Sequence, residues 1–175
     1  MKKLFFYIAI AGLLALSACK QSSKENTPNE AEQAVEMEKA KANISEMLDQ
    51  LANSIETGNM SIVEKIWCPK EETMLIGTEN NEKLIGWTAI KDAIQGQFSK
   101  LNETLISITD QNIWLSKDGN TAWFFEELNY NFIYNDKAMS IEGIRFTGVF
   151  VKNADGAWKL VQGHMSAPTS LDVTK

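Results

Sequence analysis

The apolar residues of this chain recur with a helical period up to about residue 101 and with a strand period from about residue 103 onward. Met37, Ile44, Met47, Leu48, Leu51 and Ile55 fall on one helix face, and Gly58 suits the position just past a helix end. The pair Asn29 and Glu32 resembles a capping box that would start this helix. Ile62, Val63, Ile66 and Trp67 predict a second, short helix, capped by Asn59 and stopped by Pro69. Residues 73–78 read as a short strand, with Lys83–Ile85 its partner across the Asn80, Asn81 turn. After Gly86, the spacing of Ile90, Ile94, Phe98 and Leu101 predicts a third helix.

The second part alternates, and it is rich in β-branched and aromatic residues. Turn sequences at 117–120, 134–137 and 153–156 divide it into four long strands, which predicts an antiparallel meander. Long strands of this kind twist and curl, and the curl offers the helices an apolar face to cover. The expected fold is therefore α+β, a curved antiparallel sheet closed by N-terminal helices.

Antiparallel register can be counted outward from the turns, because opposed residue numbers have a constant sum. Symmetric loops place Gln111 opposite Glu126, Glu126 opposite Arg145, and Arg145 opposite His164. Arg145 and His164 are the chain's only arginine and histidine. On this count one face carries the polar row together with Ile113, Leu115, Phe124, Leu128, Tyr130, Ile141, Thr147, Val149, Trp158 and Leu160. The other carries Trp114, Trp123, Phe125, Glu127, Phe146 and Phe150. An apolar wall with a few convergent polar groups suits a small-molecule pocket lined by Gln111, Glu126, Tyr130, Arg145, Trp158 and His164. There Glu126 would serve as a base, Arg145 as an oxyanion or carboxylate partner, and His164 as a proton relay. A mutually satisfied internal network without a ligand is the competing reading. The count depends on unbroken ladders, and the run Thr109 to Asn112 is able to hold a bulge.

The N-terminal residues change the picture of where such a domain works. Two lysines, a short apolar run and the ending Leu16, Ser17, Ala18, Cys19 form a signal peptide with a lipobox-like end. Residues 1–18 are expected to be removed and Cys19 lipidated, with residues 19–29 a tether, 30–170 the folded domain and 171–175 a tail. Lys20 after the cysteine favours the outer membrane, facing the periplasm, by the rule known for enteric bacteria. The removed segment takes two of the 17 basic residues and none of the 23 acidic ones, leaving a formal charge of −8. Such a surface argues against nucleic acid as a partner. Cys68 would be the one remaining cysteine, read as a small buried apolar residue. There is no metal-ligand spacing, no phosphate-binding glycine loop and no serine elbow, and no cofactor is implied.

The order of elements resembles the nuclear transport factor 2-like, cystatin-like α+β roll. Arg145-Phe-Thr147, Asp155-Gly-Ala-Trp-Lys-Leu-Val161 and His164-Met-Ser166-Ala-Pro168 are similar to the ending of SnoaL-like domains, as are Leu75-Ile-Gly-Thr78 and Gly86-Trp-Thr-Ala-Ile90. The resemblance covers residues 31–168 and implies a cone of curved sheet closed by helices. It spans isomerases, cyclases, dehydratases and association modules, so it implies no single activity. An outer face bearing several tryptophans and phenylalanines implies a homodimer through the sheet. The expected protein is thus a lipid-anchored envelope domain that binds a small molecule. An isomerase, cyclase or dehydratase using Glu126, Arg145 and His164, or a structural association module, are the alternatives.

Overall fold

The structure, a computed structural model, describes residues 30–168. The expected signal segment, lipidated Cys19, tether and tail all fall in residues 1–29 and 169–175, outside the described residues. Helix α1 (Glu30–Thr57) buries Ala40, Ile44, Leu48, Leu51 and Ser54 along one stripe, and it ends at Gly58 in the left-handed conformation, φ 65°. Glu30 and Glu32 stand at its positive end. Helix α2 (Met60–Ile66) follows after one turn. Asn59 occupies its cap position but makes no side-chain cap hydrogen bond, contrary to the sequence expectation. Its backbone N–H instead bonds Ser54 O at 2.8 Å, which closes the end of α1.

Strands β1 (Met74–Ile76) and β2 (Lys83–Ile85) pair antiparallel as expected, and helix α3 (Trp87–Phe98) buries Ile90 and Ile94. The meander consists of β3 (Asn102–Leu115), β4 (Thr121–Tyr134), β5 (Lys137–Lys152) and β6 (Trp158–Ser166). The curved sheet has the order β2-β1-β6-β5-β4-β3, and β1 joins β6 in parallel. All three helices pack against its core-facing side. Their core with the sheet includes Ile44, Leu48, Val63, Ile66, Trp67, Ile90, Phe124, Leu128, Phe146, Phe150 and Leu160.

Helix α1 runs antiparallel to β3 along its whole length. Gln33 Nε2 donates to Lys117 O at 3.0 Å, Ser45 Oγ to Gln111 Oε1 at 2.5 Å, and Ile106 N to Glu56 Oε1 at 2.6 Å. From Gln33 to Glu56 a helix rises about 35 Å, and from Lys117 back to Ile106 a strand covers about the same distance. Matched rises keep the two elements in step, so polar groups on one flank of α1 meet the sheet at fixed points.

Gly96 sits inside α3, and a Cβ there would meet no atom within 4 Å. Gly96→Ala should therefore raise stability by about 0.8–1 kcal/mol through helix propensity alone. Urea denaturation measures it, and a destabilised variant would show that the helix packs more tightly there than described.

Candidate functional site

The turn at residues 117–120 is a symmetric four-residue loop, so β3 and β4 keep the counted register and Gln111 lies opposite Glu126. The bulge anticipated in this run does occur, between Ile108 and Asp110, but beyond Gln111. Glu126 is only 2% exposed. Gln111 Nε2 donates to its Oε1 at 2.8 Å, while Gln111 Oε1 accepts from Ser45 Oγ on α1. The other oxygen, Oε2, has no hydrogen bond among the described residues, and it is not sealed off from open space as Trp67 Nε1 is. Burial pushes the Glu126 carboxyl up to about 7; the Gln111 bond opposes this, and the charge of Asp49 adds to it.

Tyr130 follows two residues beyond Leu128 on the same face. Burial raises its phenol above the ordinary tyrosine range, and the nearby charges of Glu126 and Glu56 raise it further. A line of polar groups thus runs along the interior, from Gln111 and Glu126 through Tyr130 towards Glu56. A further polar group lies in the core, where the rings of Trp67 and Phe146 close over Gly163. Trp67 Nε1 is buried there without a hydrogen-bond partner, and Phe146 is the ladder partner of Glu126.

Arg145 and His164 are not part of this interior. The count from the Asn135, Asp136 turn holds as far as Tyr130 opposite Ile141, and then β5 carries one extra residue. Gly143, at φ 69°, forms the bulge, and its N–H donates to Asn129 Oδ1 at 2.9 Å. Beyond it Glu126 opposes Phe146, and Arg145 opposes Glu127 on the outer face. The last turn also differs, because its loop runs from Asn153 to Ala157 and closes with Asn153 N bonded to Ala157 O. A second shift near Val161 then sets His164 opposite Thr147, not Arg145. Both Arg145 and His164 are exposed.

The same one-residue slip corrects the two face lists. Phe146 and Phe150, expected outside, are buried within the core, whereas Thr147 and Val149 turn outward. Trp158 is buried as a core residue at the turn end of β6, with Lys152 Nζ 5.0 Å from its ring centre. The outer face keeps Trp114 and Trp123, which are opposed across the ladder and stacked at 6.5 Å, each a little under half exposed. Phe125 lies half-buried on the same face, next to Thr147 across the ladder.

Among the described residues, two concavities lie at the surface. One, of about 220 Å³, lies where α1 and α3 both end, and is lined by residues that include Glu56, Gly58, Phe98, Leu101 and Glu103. The other, of about 620 Å³, is open and lies between Pro69, Ile85 and the start of α3. Glu126 lines neither. Among the described residues no group of three or more His, Cys, Asp or Glu side chains is placed to hold a metal ion.

Sequence counting missed Ser45, Asp49 and Glu56. They stand four and seven residues apart on α1, flanking the Ile44, Leu48 and Leu51 stripe. Their spacing was visible in the chain, but nothing local told which flank of the stripe would face the sheet.

The SnoaL-like domain family matches residues 44–170. No curated protein sequence matches the chain. A nuclear transport factor 2-like superfamily protein from Salmonella enterica serovar Typhimurium superposes with a TM-score of 0.70 at 18% identity, covering 78% of this chain and 96% of that one. A candidate dehydratase of the same family from Streptomyces avermitilis gives 0.66 at 14% identity, with 76% and 99% covered. A candidate calcium/calmodulin-dependent protein kinase II association domain from Xanthomonas campestris gives 0.62 at 22% identity, with 74% and 88% covered. At these identities the likeness concerns the fold.

Proposed function

Since the chain belongs to the SnoaL-like domain family, we propose that it binds a small molecule in its cone, with Glu126 as the polar contact inside, and that it does so in the bacterial envelope, tethered through lipidated Cys19. The observation that carries the binding reading is the state of Glu126. A carboxyl held by one hydrogen bond, with its second oxygen unpaired, weakens a fold more than an apolar residue would. A group that costs stability and is aimed by Gln111 and Ser45 fits a ligand contact. The unpartnered Trp67 Nε1 supports the same reading, since a buried donor without an acceptor costs about 1–3 kcal/mol.

A catalytic reading has one specific support. A carboxyl titrating at about 7 is suited to proton transfer near neutral pH. Its partners would be Gln111 and Tyr130, because Arg145 and His164 lie on the other side of the sheet. Structural neighbours named as candidate dehydratases, from Streptomyces avermitilis and Novosphingobium aromaticivorans, are compatible with it without specifying a reaction.

We also propose a homodimer through the outer face. The stacked Trp114 and Trp123 form an apolar patch there, and Arg145 stands beside Glu127 in the next rows of the ladder. A self-complementary contact would bury the tryptophans and place each Arg145 near the partner's carboxylates. Native mass spectrometry of the chain from Lys20 onward tests both parts. The expected result is a dimer that releases a stoichiometric small molecule on mild denaturation, and Trp123→Glu should convert it to a monomer. A wild-type monomer would exclude the dimer, and an empty cone after supplementation with cell extract would count against the ligand.

A further inference from the structure

Strand β5, of 16 residues, is paired on both sides only in part. Its ladder with β6 runs from Lys152 to Arg145, whereas its ladder with β4 runs on to Lys137. From Lys137 to Glu142 the side of β5 away from β4 has no strand beside it among the described residues. The turn at Asn135 and Asp136 has two residues, both at positive φ, so Tyr134 and Lys137 form the bonded closing pair. The backbone groups of Ala138 and Ser140 then point to the open side. An open edge invites pairing, and proteins blunt it with charge, proline or a cover. The stretch from Ala138 to Ile141 carries no charge and no proline, and Met139 on it is 44% exposed. The other long edge is treated differently: α1 runs along β3, where Glu56 Oε1 accepts from Ile106 N–H and Gln33 Nε2 donates to Lys117 O.

The chain itself leads to this edge. After β6 ends at Ser166, opposite Arg145, Ala167 and Pro168 continue along β5, and Pro168 Cγ lies 3.2 Å from where a Cβ on Gly143 would stand. No ladder bond forms at this point, because Gly143 N–H is bonded to Asn129 Oδ1 and proline has no N–H. The bulge adds one residue to β5. A strand that continues past it therefore meets Ile141 with residue 169, Met139 with residue 171 and Lys137 with residue 173. The sequence there is Thr169-Ser-Leu-Asp-Val173, which alternates Thr169, Leu171 and Val173 with Ser170 and Asp172. It matches the stretch from Lys137 to Ile141 residue for residue.

We propose that residues 169–173 of this chain occupy the open edge of β5, extending β6 past the Gly143 bulge and completing the sheet at that corner. Ser170 and Asp172 exchange backbone hydrogen bonds with Ser140 and Ala138, and Leu171 covers Met139, whose partner on the other side is Phe132. Thr169 lies beside Ile141, the ladder partner of Tyr130, so the added strand adjoins the polar line of the interior. A second copy fits the edge less well, because Pro168 stands at one end of it and an incoming strand would run into the chain that leaves β6. The proposal is independent of the small-molecule and homodimer readings, which concern the cone and the outer face.

Hydrogen-exchange mass spectrometry with residue-level fragmentation, on the full chain and on a chain ending at Pro168, both in detergent, tests this. In the full chain the amides of Ala138, Ser140, Ser170 and Asp172 should be protected. Truncation should speed exchange at Ala138 and Ser140 by at least about tenfold, while the amides of β3 keep their rates. Two proline variants read the register. Asp172→Pro removes an N–H that points at β5 and should release the edge as truncation does, whereas Val173→Pro removes one that points to solvent and should keep the protection. Equal exchange at Ala138 and Ser140 in the full and shortened chains, or the same response to both prolines, overturns the assignment. Protection that survives truncation and grows with protein concentration would give the edge to a second copy and overturn it too.

Discussion

Between pH 4.5 and pH 7 the wild-type chain should lose stability as the pH rises, and Glu126→Gln should lack that component of the loss. The Glu126 carboxyl titrates near 4.5 when unfolded and at about 7 in the fold, chiefly because burial disfavours its charged form. Within this window the folded state holds a proton that the unfolded state has released, so stability falls with pH. Below pH 4.5 both states hold the proton, and above pH 7 neither does, so the contribution is level at both ends. The full step is on the order of 3 kcal/mol. Glutamine still accepts from the Gln111 amide and cannot ionise. The variant should match wild type near pH 4 and exceed it by up to about 3 kcal/mol at pH 8. Urea titrations at half-unit pH steps, followed by tryptophan fluorescence, measure the difference. Parallel curves for the two proteins would show that the carboxyl is solvated and would remove the basis for its proposed role.

Gly148→Ala should be severely destabilising, by about 3 kcal/mol or more. Gly148 lies between Phe124 on β4 and Gly163 on β6. A Cβ there would stand 2.5 Å from Gln162 O and 2.6 Å from the Phe124 ring. The carbonyl belongs to the backbone of the neighbouring strand and cannot step aside. The ring is held edge-on to Phe146 at 5.0 Å and lies 5.7 Å from Phe150, so it has nowhere to retreat. A thermal melt by circular dichroism should show a drop of roughly 6–12 °C, or no folded protein at all. A melting temperature within about 2 °C of wild type would contradict this packing. The comparison with Gly96→Ala is direct, since the same added methyl is expected to stabilise where the space is open.

The elements of this fold were legible because their signals are local. A stripe of apolar residues, Gly58 at a helix end and three turn sequences suffice to order three helices and four strands. Gln111 opposite Glu126 was legible for the same reason, because only one symmetric turn separates them. Arg145 and His164 were not, because their placement depends on three irregularities, the bulge at Gly143, the five-residue loop at 153–157 and the shift near Val161. Gly143 did mark a bulge, but Gly148 and Gly163 also interrupt strands, and they answer to packed rings. A strand glycine therefore signals a special position without saying which kind. What distinguishes Gly143 is the Asn129 side chain, 14 residues away and adjacent only once the strands have paired. The polar flank of α1 was illegible for a related reason. Ser45, Asp49 and Glu56 have the spacing of a solvent-facing row, and only the docked rotation of the helix turns that row towards Gln111, Glu126 and Ile106.

The antiparallel run of α1 along β3 also sets how the domain would face its surroundings. Its first residues stand beside the turn at Lys117, and its last residues form the rim at Gly58, about 35 Å further along the helix axis. In the tethered protein proposed above, the chain enters at the Lys117 end. The helix thus places the rim at the pole of the domain farther from where the chain enters.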